Sequence, residues 1–169
     1  MNKKAFTLIE ILVVLGIMSL LASMIIVSTR NARIRVRDAR RISDIAQVSR
    51  ALELYLSAHN HYPAQNDLSV LQTERFINAI PQDPIASGCT SVYDGADYGG
   101  LNCYGYAWNP AVNPTEYHLW SELESEDRVL SSDNDLDSAG WNGAATDGGD
   151  EFDCADDTPA DCVYDVSVE

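Results

Sequence analysis

The sequence predicts an α+β chain, in which a long N-terminal helix, transmembrane and then amphipathic, packs against a small antiparallel β-sheet. Three observations predict it. Phe6 to Val27 is an almost wholly apolar run. Ser28 to His59 contains neither proline nor glycine and repeats apolar residues at helical spacing. Farther on, short segments such as Glu116 to Leu123 alternate apolar and polar residues.

The apolar run has 22 residues. As a helix it would be about 33 Å long, enough to cross the hydrocarbon of a bilayer. Lys3 and Lys4 precede it, and Glu10 lies near its front. A carboxylate in such a span is costly and points to function. A secretory signal peptide would have a shorter run, with its cleavage site after it. A plain single-pass anchor explains the length but not Glu10.

The helix is expected to continue beyond the run. Ile34, Ile42, Ile45, Ser49, Leu52 and Leu56 recur near helical spacing, with Ala46 and Val48 flanking. From Phe6 to His59 the helix would measure about 80 Å. Gly16 is either a soft point in it or a site of close helix packing. Asn60-His61-Tyr62-Pro63 ends it, because a proline biases the residue before it away from helical geometry. A second helix is expected over Leu68 to Ala79, capped by Asn66 or Asp67. Pro81-Gln82-Asp83-Pro84 reads as a stiff break, and Ala86 to Cys103 as a loop. Tyr104–Asn109, Glu116–Leu123 and Cys162–Val168 are the expected strands. Asn109 to Pro114 forms the turn between the first two. Residues 1–5, 6–27, 28–60 and 61–169 are thus a leader, a transmembrane and assembly half-helix, an amphipathic half-helix and a globular domain.

Charge is segregated. Seven of the eleven basic residues are Arg30, Arg33, Arg35, Arg37, Arg40, Arg41 and Arg50. Residues 67–169 hold 22 acidic residues against Arg75 and Arg128, a net charge of −20. Such acidity argues against nucleic acid as a partner of the domain. The cysteines are Cys89, Cys103, Cys154 and Cys162. An even number in a domain carried across a membrane suggests disulfides. Three pairings are open, and local spacing favours Cys89–Cys103 with Cys154–Cys162.

The junction Lys3-Lys4-Ala5-Phe6-Thr7-Leu8-Ile9-Glu10 closely resembles the leader of type IV prepilins and type II secretion pseudopilins. Ala5 stands where that family usually has glycine. The resemblance implies cleavage by a prepilin peptidase between Ala5 and Phe6, and methylation of Phe6. It also implies pairing of Glu10 with the Phe6 amine of a neighbouring subunit during assembly. Ala51–Pro63 and the Pro81–Pro84 segment resemble major pseudopilins, so the expected fold is pilin-like. The resemblance further implies a single-pass protein of the bacterial inner membrane, its N-terminus cytoplasmic and its C-terminal domain periplasmic. After extraction the subunit joins a homo-oligomeric filament with other pilins or pseudopilins, built by an assembly ATPase and a platform protein. The positive-inside rule would instead put Arg30–Arg41 in the cytoplasm; the leader motif is followed here.

Two further readings concern chemistry. Asp133, Asp135 and Asp137 alternate like the opening of a calcium loop, and Asp147 and Asp150 follow in a glycine-rich stretch. Ser138 stands where an EF-hand needs glycine, and Ala144 where it needs glutamate. Major pseudopilins bind calcium in a comparable place, so Ca2+ is the expected cofactor, and a solvated acidic loop is the alternative. No catalytic spacing of serine, histidine and aspartate, and no phosphate loop, is evident. The sequence therefore predicts a structural subunit of a type II secretion pseudopilus and not an enzyme. A type IV pilin for adhesion, motility or DNA uptake is the alternative, and a non-polymerising membrane-anchored domain the third reading.

Overall fold

The computed structural model describes residues 7–85, 88–95, 103–125, 128–146 and 162–168, without the side chains of residues 24–28. The chain divides into two compact units, residues 1–36 and 37–169. Its elements are helix α1 (Leu8–His59), helix α2 (Ser69–Thr73), strands β1 (Gly105–Asn109) and β2 (Glu116–Glu122), a 3-10 turn (Arg128–Ser131), and strands β3 (Asn142–Gly143) and β4 (Val163–Val168).

The first unit holds the start of α1. Its large apolar side chains from Leu8 to Leu21 are all exposed, between 50% and 83%. The expected transmembrane span is corrected here. Among the described residues no helix is long and apolar enough to cross a membrane. The transmembrane assignment of residues 6–27 falls with this finding, as does the single-pass inner-membrane location with a cytoplasmic N-terminus and periplasmic domain.

In the second unit, α1 packs its inner stripe on an antiparallel sheet. Ile45, Val48, Leu52 and Tyr55 recur at three- and four-residue spacing and are buried. They share one core with Tyr106, Tyr117, Leu119, Leu123 and Tyr164. The stripe is centred slightly away from the expected line, since Val48 and Tyr55 are core while Ile42 and Leu56 are only partly buried.

The sheet runs in the order β3-β1-β2-β4. Strands β1 and β2 form the hairpin, with Tyr106 opposite Leu119 and Trp108 opposite Tyr117. Strand β4 pairs with the far side of β2, bringing Val166 opposite Leu119 and Asp165 opposite Trp120. The alternation in β2 predicts one buried face, yet Tyr117 to Ser121 are all buried. The segment leading to β3 covers the second face. Trp120 donates its indole N–H to the Ala144 carbonyl at 2.8 Å. Its ring lies so close to Gly105 that a Cβ there would sit 2.0 Å from it.

Helix α2 is shorter than the expected 68–79. The chain leaves the helix through Arg75, whose φ is 66°. The N–H groups of Phe76 and Ile77 then turn back to the Leu71 carbonyl at 2.9 and 3.2 Å. That reversal buries Leu71 and Ile77 together in the core. A disulfide joins Cys89 to Cys103, with their Cα atoms 5.5 Å apart. Cys162 is disulfide-bonded too. Cys154 lies outside the described residues.

Candidate functional site

The first candidate is the start of α1. Thr7 precedes the first helical residue, and Glu10 stands three positions on. The Glu10 carboxylate accepts the Thr7 backbone N–H and the Thr7 hydroxyl, both at 2.8 Å. Thr7 Oγ1 in turn accepts the Glu10 N–H at 3.3 Å. This is a reciprocal capping box, which satisfies donors that a helix start leaves open. The Thr7 N–H and hydroxyl hold the Glu10 carboxyl below the usual glutamate range. Ala5 and Phe6, the expected processing residues, lie outside the described residues. Reading Glu10 only as an assembly residue misses this local role, although the spacing Thr7-x-x-Glu10 carries the signal.

Behind the cap, the exposed apolar side chains of α1 form a surface far larger than one soluble chain ordinarily leaves uncovered. The arginines after it divide into two groups. Arg37 and Arg41 are taken up by the second unit. Arg41 is wholly buried and reaches Asp38 at 2.8 Å, Asp83 at 2.5 Å and Glu124 at 2.7 Å. Arg37 forms a two-pronged contact with Glu124, its Nε at 2.7 Å from Oε1. Asp38 also accepts the Glu124 N–H at 3.0 Å and the Ser125 hydroxyl at 2.7 Å. The cluster therefore fastens α1 to the segment after β2 and to the Pro81–Pro84 break. That break is more than a stop, because it delivers Asp83 to Arg41. Arg30, Arg33 and Arg35 are exposed.

The acidic segment is the third candidate. The Asp165 carboxylate on β4 accepts the backbone N–H groups of Asn134, Asp135 and Leu136 at 3.0–3.1 Å. Its Oδ2 lies 2.8 Å from His118 Nε2 on β2. That contact has ion-pair distance, although it lies off the line of the ring N–H. His118 Nδ1 is 2.8 Å from Ser138 Oγ. Serine, histidine and aspartate thus stand in a row, assembled from positions whose spacing gives no hint of it. The row is closed to chemistry: all three residues are 0% exposed. Ser138 Oγ is also occupied by the Thr146 carbonyl and N–H, each at 2.9 Å. What the row does is clamp the segment 134–146 across the sheet.

The expected calcium ligands do not converge where they are described. Asp133 Oδ2 accepts the Asp165 N–H at 3.3 Å, and Asp137 Oδ1 accepts the Ala139 N–H at 2.8 Å. Both carboxylates accept backbone N–H groups, Asp133 from β4 and Asp137 within its own turn. Among the described residues no group of three histidines, cysteines or carboxylates could hold a metal ion. Asp147 and Asp150, the rest of the expected set, lie outside the described residues.

Residues 1–26 match the family described as the prokaryotic N-terminal methylation motif. Curated relatives are similar to the chain over a longer stretch. Type II secretion system core protein G of Pectobacterium carotovorum subsp. carotovorum is 30% identical over 88 residues, covering 52% of this chain and 56% of that protein. The protein of the same name from Escherichia coli K12 is 33% identical over 86 residues, covering 51% and 57%. That of Klebsiella michiganensis is 29% identical over 97 residues, covering 49% and 68%. The chain thus spans little more than half the length of the first two relatives. No solved structure matches it.

Proposed function

We infer that this chain, a member of the pilin and pseudopilin family, is a structural subunit of a type II secretion pseudopilus. It is not an enzyme. In this reading a prepilin peptidase cuts between Ala5 and Phe6 and methylates Phe6. The processed subunit then polymerises with its own kind and with related pseudopilins, driven by an assembly ATPase and a platform protein.

The observation that carries the reading is the uncovered apolar surface of α1 within the stretch that matches the methylation motif. Leu8, Ile9, Leu12, Leu15, Met18 and Leu20 are each more than half exposed. At roughly 25 cal/mol per Å2, covering such side chains in a bundle of like helices is strongly favourable. Glu10 then has a second partner available, the Phe6 amine of a neighbour. A buried ion pair adds little net energy, but a carboxylate left alone in an apolar bundle costs several kcal/mol. The pairing therefore selects the register of neighbouring helices more than it strengthens the bundle.

The disulfide-held loop at Cys89–Cys103 and the acidic C-terminal stretch favour a second reading, a type IV pilin in a surface filament. Deleting the gene and restoring it tests both. Loss of type II exoprotein secretion with surface filaments intact supports the pseudopilus. Loss of surface filaments with secretion intact supports the pilin. If neither changes, both readings fail.

A further inference from the structure

We propose that the cleft between α1 and residues 79–82 is a binding site for the carboxylate end of an extended peptide. The site lies wholly within the second unit and does not depend on polymerisation.

The cleft has a volume of about 340 Å3, within the range of sites that hold small ligands. Arg40, Asp44 and Gln47 line one wall. They follow one another at four- and three-residue spacing, so they share a face of α1. Ile80, Pro81 and Gln82 line the other wall. Both walls are fixed. Ile80 belongs to the core, the Tyr93 hydroxyl donates to the Pro81 carbonyl at 2.8 Å, and Arg41 holds Asp83. A site fixed before binding loses little freedom on binding.

The polar groups of the cleft are largely uncommitted. Arg40 is exposed, and among the described residues its guanidinium meets only Asp44, Nε to Oδ2 at 3.7 Å. Asp44 Oδ2 also accepts the Tyr104 hydroxyl at 2.9 Å. Asp44 is only 9% exposed, yet among the described residues its Oδ1 has no hydrogen-bond partner. Burial holds the Asp44 carboxyl above the usual aspartate range, against the Tyr104 hydroxyl and Arg40. A ligand N–H on Oδ1 favours the ionised form and relieves that penalty. Gln47 and Gln82 are exposed, and their carboxamides make no hydrogen bond among the described residues.

A forked donor, an acceptor and a carboxamide thus follow one another along about 10 Å of helix. Three residues of extended peptide cover about the same distance. A terminal carboxylate takes the Arg40 guanidinium as a two-pronged pair. A backbone N–H before it reaches Asp44 Oδ1, and the Gln47 and Gln82 carboxamides serve the next peptide group. An apolar side chain rests on Ile80 and Pro81. A simple anion leaves Asp44 Oδ1 unanswered, and Arg40 repels a simple cation.

The test titrates 15N,13C-labelled full chain in mild detergent with acetyl-trialanine, as the free acid and as its carboxamide, and follows NMR spectra. The free acid should shift the amide signals of residues 40–47 and 82. It should also move the Asp44 carboxyl carbon toward its ionised position. The carboxamide, and the free acid with Arg40→Gln, should each bind about tenfold more weakly, as loss of one charge-assisted pair predicts. Arg50→Gln, at an exposed arginine that does not line the cleft, should change nothing. A carrier protein ending in an unstructured alanine tail separates the two sources of such a ligand. The tail binds like the free acid if the site takes polypeptide ends, and fails to bind if it takes only free short peptides. Equal affinity for acid and carboxamide, equal loss with Arg40→Gln and Arg50→Gln, or no shift at Asp44 overturns the site and leaves the filament reading untouched.

Discussion

Arg41 Nη1 donates to Glu124 Oε1 at 2.7 Å, joining residues 83 positions apart. The guanidinium is wholly buried, and with Asp38 and Asp83 it forms an ion cluster between α1 and the rest of the second unit. Removing the cation leaves buried carboxylates uncompensated. Arg41→Met is expected to lower unfolding stability by about 3–5 kcal/mol. Urea denaturation checks this, and a loss below about 1 kcal/mol would show that the cluster contributes little.

The same cluster sets part of the acid response. Burial works to raise the Glu124 carboxyl, but hydrogen bonds from Arg37 and Arg41 outweigh it and leave Glu124 below the ordinary glutamate range. Hydrogen bonds from Ser69 lower Asp67 likewise. A carboxyl lowered by folding stabilises above its unfolded pKa, and the contribution is lost as pH falls through the folded value. Asp44 has the opposite sign. Burial raises it, against the Tyr104 hydroxyl and Arg40. Its contribution is present at acid pH and lost as pH rises through the folded value. Stability should therefore decline below the carboxylate range, and Asp44→Asn should help more at neutral than at acid pH. Thermal melts across that range decide it.

Much of this was legible in the sequence, and the parts that were not have physical reasons. Helix α1, the β1–β2 hairpin and the strand after Cys162 follow from periodicity and turn residues. The burial of both faces of β2 does not, because the cover comes from the acidic stretch 134–146, whose composition reads as solvent-exposed loop. Local pattern cannot show that Asp165 would gather three backbone N–H groups and His118 to hold that stretch down. Nor does an arginine-rich helix show which arginines its own domain will neutralise. The apolar run suggests a membrane span by length, whereas among the described residues no helix is long and apolar enough to cross a membrane. The capping box was readable from Thr7 and Glu10, and was hidden by the stronger signal of a carboxylate in an apolar run.

The two roles of Glu10 separate by substitution. Glutamine can still complete a capping box, and alanine cannot. Glu10→Gln should keep the helix start protected in hydrogen exchange, and Glu10→Ala should let residues 7–10 fray. Both should disturb filament assembly if the carboxylate pairs with a neighbour's Phe6 amine. Normal assembly of Glu10→Gln would leave only the capping role.

The Cys89–Cys103 bridge closes a loop with a sequence separation of 14. Chain-entropy reasoning gives such a loop about 3 kcal/mol, with measured values commonly 2–4. Cys89→Ser/Cys103→Ser should lose stability in that range. The loss should be accompanied by faster exchange of the Tyr93 N–H, which the Asn66 carbonyl holds at 2.8 Å.

The most direct test of the central claim is mass spectrometry of the chain's N-terminal peptide from native cells. The account requires a peptide that begins at methylated Phe6. If every fraction retains Met1 to Ala5 unmethylated, the chain is not processed as a prepilin, and its assignment as a filament subunit is contradicted.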